Sequence, residues 1–346
     1  MALQYKYNPA IPDVFRCRVP LPGTHQAYLS NGLLHEEVSY EDKLHLSASS
    51  PKGFDLKISP GAQIPDTLQI ISVRETGQIV ELQFSNSLDF GAGSDSNLLL
   101  CTHTLSLDEF VTLSELNINV QQGSRVNIVI MQNEHNGSSH KMNFKIKQAQ
   151  DSYLRLNIVS LHGARLENNI DVNLEGEGGI CELNGVYLVS GKQEILTYVN
   201  MRHVVPNCHS SQLFKGILDN ESRAVFSGLI NVAKGAQKTE AYQANHNLLL
   251  SRKAKVYAQP HLEINADDVK CSHGATSGRL DELALFYMRS RGIGLEEAKL
   301  LQQLAFIYDV LEKVNNVPLR NRLQELVESR LRGEFEQCAN CSINCC

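Results

Sequence analysis

From Asp95 to Ile264 the chain is a train of short runs in which apolar and polar positions alternate. Leu154, Leu156 and Ile158 fall on one face of such a run and Arg155, Asn157 and Val159 on the other, the period of two that marks a β-strand. Comparable runs occur at Leu98–Cys101, Glu115–Val120, Val126–Met131, Asn143–Lys147, Ile170–Leu174, Ile180–Leu188, Ile195–Asn200, Ala224–Ile230 and Asn245–Leu250. Gly, Asn, Asp and Ser fill many of the gaps, and no proline interrupts the chain from Asp66 to Val205. The preceding segment, residues 1–94, is punctuated. Seven of the ten prolines lie in the first 65 residues, so runs such as Leu56–Ser59, Leu68–Val73 and Ile79–Phe84 read as irregular β structure.

Near Leu280 the period changes. Leu280, Leu283, Ala284, Tyr287 and Met288 sit at helical spacing, with Thr276 and Ser277 available as caps and Asp281 and Glu282 suited to the positive first turn. Gly292 and Gly294 break this helix. A second follows with Leu295, Ala298, Leu301, Leu304, Ala305, Tyr308 and Leu311 on one face. A third starts at Pro318 and stops at Gly333. Four units result: an N-terminal β segment (1–94), a β core (95–276), a helical segment (277–333) and a tail (334–346). Regular short strands fit a sandwich, a barrel or a solenoid, and the pattern does not choose among them. Tight hairpin dipeptides are few, and no motif repeats letter for letter.

Composition narrows the function. The 346 residues carry a net charge of −6 with no basic tract, no Trp and few other aromatics, which argues against a nucleic-acid surface. The first residues, MALQYKYNPAIPDVF, have no apolar segment of signal-peptide type, and no run approaches a membrane span, so a cytoplasmic protein is expected. Nine cysteines, an odd number in a chain read as leaderless, do not form a disulfide framework. There is no GxxxxGK[ST], no strand–helix GxGxxG and no GxSxG, so neither a nucleotide site nor a hydrolase is indicated.

The candidate chemistry is sparse. Cys271 and His273, two residues apart, share a face if the stretch is extended, and a thiolate beside an imidazole can bind iron or sulfur species. Spacing alone favours a buried cysteine and a structural histidine. Cys101 and His103 have the same spacing, Cys208 and His209 are adjacent and point apart, and Cys181 reads as core. The tail holds Cys338, Cys341, Cys345 and Cys346 in nine residues. That spacing is unusual for zinc or an iron–sulfur cluster, and a thiol-rich tail without bound metal ranks just ahead of transient metal or sulfur capture.

Two long stretches carry a resemblance. The run LEINADDVKCSHGATSGRLDELALFYMRSRGI, and before it Gln212 to Ser251, are similar to the SufB/SufD family of iron–sulfur cluster assembly proteins, and to its SufD-type members in particular. SufB-type members carry a cysteine where this chain has Asn245 and a glutamate where it has Gly274; His273 and the SufD-type Cys271 are kept. The resemblance implies a right-handed parallel β-helix, mainly β, of about eight coils at roughly 20 residues each, closed by a C-terminal three-helix segment. The N-terminal segment and the helices are the expected end caps. It further implies a non-catalytic scaffold subunit that pairs with a SufB-like subunit, or with itself when alone, and carries the SufC ABC-type ATPase. Cys271 and His273 would then help hold transient iron or a nascent iron–sulfur cluster at the subunit interface, with nothing tightly bound to the isolated chain. Docking of the ATPase falls by resemblance on Phe286, Tyr287, Arg289, Arg291, Ile293 and Glu297. The family usually has a helical segment ahead of the β core; the start ALQYKY looks like the entry to that core without most of those helices, which implies either a short member or a trimmed sequence. Two alternatives stand beside this reading: a β-helix carbohydrate enzyme, and an independent metal or sulfur carrier using the terminal cysteines.

Overall fold

A computed structural model describes residues 20–74, 81–104, 109, 111–135 and 137–333. Its strands, in chain order, begin with β1 (Thr24–Ser30), β2 (Leu33–Leu34), β3 (Val38–Tyr40), β4 (Leu44–Ala48) and β5 (Phe54–Ile58). The regular part follows: β6 (Gln63–Arg74), β7 (Glu81–Phe90), β8 (Asp95–Thr104), β9 (Val111–Val120), β10 (Arg125–Asn133), β11 (Ser139–Gln148), β12 (Tyr153–His162) and β13 (Arg165–Leu174). It continues with β14 (Ile180–Val189), β15 (Glu194–His203), β16 (His209–Leu218), β17 (Arg223–Val232), β18 (Glu240–Leu249), β19 (Lys255–Ile264) and β20 (Lys270–Gly278). Three helices complete the described residues: α1 (Glu282–Ser290), α2 (Leu295–Leu311) and α3 (Val317–Leu331).

From β6 onward even-numbered strands pair in parallel in one sheet and odd-numbered strands in a second. The chain therefore passes once through each sheet per turn, a parallel β-solenoid of about seven turns. Antiparallel strands β2 to β5 add to the N-terminal end of both sheets. The inner faces enclose one apolar column, with Leu154, Leu156 and Ile158 at 4% exposure or less.

The repeat is set at one corner. Gly61, Gly93, Gly123, Asp151, Gly178, Asn207 and Lys238 all have positive φ, and they recur about every 30 residues. Most of them donate their N–H to a carbonyl one turn further on: Gly93 to Gln122, Gly123 to Gln150, Asp151 to Glu177 and Asn207 to Gln237. Each is followed by a small residue. Ala62, Ser94, Ser124, Ser152, Cys208 and Thr239 are all buried, forming a ladder under the turn. The turns are thus longer than the 20 residues expected, and the stretch 95–264 holds fewer than eight of them. The cause is that each turn contains two ten-residue strands rather than several shorter ones.

The helices do not cap an end. Helices α2 and α3 lie across the outer face of the even-numbered sheet, where Ile307, Val310, Leu323 and Val327 pack on Cys101, Met131, Val159, Leu161, Val186, Leu188 and Ile217. That sheet is covered on both faces, which removes polar positions from the outer row and lets the helices bury their own stripes. Asn316 bonds Thr67 at 3.1 Å, and Arg330, buried at 6% exposure, donates to the Leu161 carbonyl at 3.2 Å and to Gln193 at 3.1 Å. The N-cap of α1 is Asp281, whose carboxylate accepts from the N–H groups of Leu283 and Ala284. Thr276 and Ser277, the caps expected from sequence, belong to β20 instead. Among the described residues no helix is long and apolar enough to cross a membrane.

Candidate functional site

With the helices laid along the side, the C-terminal end of the solenoid is left open. β20 is the edge of one sheet and β19 the edge of the other. In the turn before, the inner residues Ala224, Phe226, Ile230 and Val232 are buried to 1% or less. In β19 the residues in register with them, Val256, Ala258 and Leu262, are only half-buried and Ile264 is exposed, because no further turn covers them. The end therefore presents two unpaired strand edges around an apolar rim, the arrangement that invites another chain. Pro260 removes one backbone donor from the β19 edge, and an edge strand tolerates that loss.

β20 places Cys271 and His273 on this rim. The register sets Cys271 against Ala241, His273 against Gln243, Ala275 against Asn245 and Ser277 against Asn247. Their partners are the buried, inward-facing residues of β18, so Cys271 and His273 share the inner face as their spacing requires. Cys271 is half-buried against the interior, and burial raises the pKa of its thiol above the ordinary value. Binding a metal there would release that proton. His273 is exposed. Among the described residues no group of three or more His, Cys, Asp or Glu side chains is placed to hold a metal. The pair offers two ligands of types suited to iron, so a complete coordination sphere needs groups from elsewhere.

The two departures from the SufB-type pattern have clear environments. Asn245 is fully buried and closed into a ring: Asn247 donates to it at 2.7 Å, it donates to the Tyr187 hydroxyl at 3.2 Å, and that hydroxyl donates to Asn247. Gly274 has nothing within 4 Å of where a Cβ would stand, so a larger side chain would fit and the position lacks only the carboxylate.

The other described cysteines, and His103, are buried within the fold. Cys101 is buried in the seam under the helices. His103 is held near pKa 4 by burial. Cys208 occupies the small-residue ladder of the corner, its thiol 3.4 Å from the Gly176 carbonyl. Cys181 is fully buried, which pushes its thiol pKa far up. Cys338, Cys341, Cys345 and Cys346 lie outside the described residues.

The expected docking residues divide. Phe286 and Tyr287 are 71% and 59% exposed on α1, and the Arg291 guanidinium stands 5.2 Å from the centre of the Tyr287 ring. Arg289 is exposed in the last turn, whereas Ile293 is half-buried. Glu297 is engaged by the Arg332 guanidinium at 3.0 and 3.2 Å, tying the start of α2 to the end of α3. Leu283, 80% exposed, is the most exposed large apolar residue among those described, although it sits at helical spacing with Leu280, Ala284, Tyr287 and Met288. Its three-residue spacing from Phe286 puts the two on one face, a pairing that periodicity shows but burial alone separates from core.

Fold and rim together define a two-sheet β-solenoid with a flanking helical segment and an open end that carries Cys271 and His273. Residues 76–306 match the model of the family described as SUF system FeS cluster assembly, SufBD core domain, and the chain belongs to that family. It is 33% identical to the iron–sulfur cluster assembly protein SufD of Escherichia coli (strain K12), over 72% of this chain and 59% of that protein. It is 34% identical to the SufBD family protein slr0076 of Synechocystis, over 60% of this chain and 46% of that protein. The chloroplastic protein ABCI7 of Arabidopsis thaliana is 34% identical over 62% of this chain and 46% of its own length. The chain thus spans about half to three-fifths of these curated relatives.

Proposed function

We propose that this chain is a SufD-like scaffold subunit in the assembly of iron–sulfur clusters, without catalytic turnover of its own. The observation that carries the reading is the open last turn. Two iron-suited side chains stand on a rim with unpaired strand edges, and among the described residues no third is grouped with them. A second β-solenoid subunit, SufB-like or a copy of this chain, would pair with β19 and β20, cover the rim and complete the ligand set. Iron and sulfide enter there as cargo. The imidazole of His273 supplies a neutral nitrogen ligand and Cys271 a sulfur ligand once deprotonated. The exposed apolar and cationic side chains of α1 would dock the SufC ATPase, since aromatic and Arg side chains anchor interfaces.

Co-expression with a SufB-like subunit and the ATPase tests this. The expected result is a stable complex containing all three, in which His273→Ala lowers the rate of cluster assembly. A chain that elutes alone, or a His273→Ala complex that assembles clusters at the wild-type rate, overturns it.

A further inference from the structure

Directly beneath His273 the interior of the solenoid is polar. Gln243 and Gln212 stack in register under it on β18 and β16, both at 3% exposure or less. The Gln243 amide nitrogen donates to the Gln212 carbonyl at 2.8 Å. The amide is seated across the bore against β17, where a Cβ added to Gly228 would come within 2.0 Å of Nε2. The carbonyl oxygen of Gln243 is buried and has no hydrogen-bond partner. A buried carbonyl left unpaired is destabilising, and a donor within reach would relieve it. The Gln212 amide nitrogen beside it is likewise buried without a partner, whereas Asn245, Asn247 and Tyr187 satisfy one another in their ring.

A neutral imidazole has one N–H and one lone pair. To bind a metal it must present the lone pair outward, and a metal-bound histidine nearly always donates its other ring N–H to an acceptor behind it. Side chains in register on neighbouring strands stand about 5 Å apart, within reach of a glutamine amide. We propose that Gln243 is a positioning residue for His273: its free carbonyl accepts the imidazole N–H from inside the solenoid and fixes which ring nitrogen faces incoming iron. The role rests on the reading of His273 as an iron ligand, but the contact, which the exposed imidazole would make by turning toward the bore, needs no metal.

The experiment is therefore done first without metal. In full-length protein labelled with 15N at histidine, long-range 1H–15N spectra report the tautomer of each ring, and His273→Gln assigns the signal. The expected result is a single His273 tautomer in the wild type, a mixture like that of free imidazole in Gln243→Met, and recovery of the single tautomer in Gln243→Glu, which keeps an acceptor. A wild-type His273 that already shows the free-imidazole mixture overturns the proposal, with no variant needed. Ferrous iron alone is then titrated anaerobically into the complex with the SufB-like subunit, where Gln243→Met should weaken binding about tenfold to a hundredfold. Unchanged affinity overturns the positioning role. A tautomer shift in protein that binds no iron at all leaves the contact standing and rejects only the iron-ligand reading.

Discussion

Replacing Lys215 by Met should loosen the helical segment from the solenoid without harming the β core. Lys215 projects from β16 into the seam, with its side chain 13% exposed. Its ammonium lies 2.8 Å from the Asp309 carboxylate, donates to the Phe306 carbonyl at 2.8 Å and stands 5.0 Å from the centre of the Phe306 ring, all on α2. Asp309 is 54% exposed, so that ion pair contributes about 0–1 kcal/mol. A hydrogen bond from a charged donor contributes about 1.5–3 kcal/mol, and a cation over a ring roughly 0.5–1. The three share one ammonium, whose removal from water on folding offsets part of the gain. Met keeps the apolar stem, so the net loss should be about 1–2 kcal/mol, a factor of roughly 5–30 in the population of detached α2. Amide hydrogen exchange in α2 should quicken by that factor while the inner amides of β16 keep their wild-type rates. Ile307→Ala, at a site with no exposure in the same seam, should loosen α2 further, by about 2–5 kcal/mol. Unchanged α2 exchange in Lys215→Met would falsify the anchoring argument, and equal acceleration in β16 would show that the helices do not open as a unit.

Two further outcomes follow from the interior. Burial holds His203 near pKa 4, with Nε2 2.8 Å from the Ser210 hydroxyl, whereas in the unfolded chain it titrates near 6.5. Between those values only the unfolded chain takes up the proton, so stability falls as the pH falls through that window. Urea denaturation of His203→Leu should show a shallower loss from about pH 6.5 to 4, and an identical slope removes His203 from the account. At Gly176 an added Cβ would stand 1.9 Å from the Gln150 nitrogen and 2.2 Å from the Ala149 carbonyl carbon, both backbone atoms of the adjacent turn. Gly176→Ala should cost about 3 kcal/mol or more, or yield no soluble protein, and a wild-type denaturation midpoint would refute the close approach.

Much of the solenoid was legible because its inner face alternates strictly. Leu154, Leu156 and Ile158 face the interior as their spacing requires, and β11 and β13 keep a polar outer row. Strand ends were blurred where the outer face is also buried: Val159 and Leu161 interrupt the alternation of β12 because α3 covers them. Two strands escaped notice for local reasons. β16 contains Gly216, which stands inward because the Tyr187 ring fills the space a Cβ would need, 1.9 Å from Cε2. β19 contains Pro260, a strand breaker everywhere except on an edge. The turn length was recoverable in principle. Gly93-Ser94, Gly123-Ser124 and Asp151-Ser152 repeat a left-handed residue followed by a buried small one, but the ladder conserves conformation and size rather than letters.

The candidate site was harder to see, for a reason that lies in its own geometry. Spacing puts Cys271 and His273 on one face of a strand but does not say which face, and two ligands do not make a metal site. What gives the pair meaning is that their strand is the last of its sheet: the same inward orientation that buries Gln243 one turn earlier leaves His273 open to another molecule. That distinction depends on where the helices go. Had α2 and α3 covered the end, Cys271 and His273 would be core residues like Cys181. Because the outer row of the even-numbered sheet carries Val129, Met131, Val186 and Leu188, the helices are drawn along the side instead, and the end stays free. The apolar residues of that outer row, well away from the cysteine–histidine motif in sequence, thus decide that the motif is left uncovered.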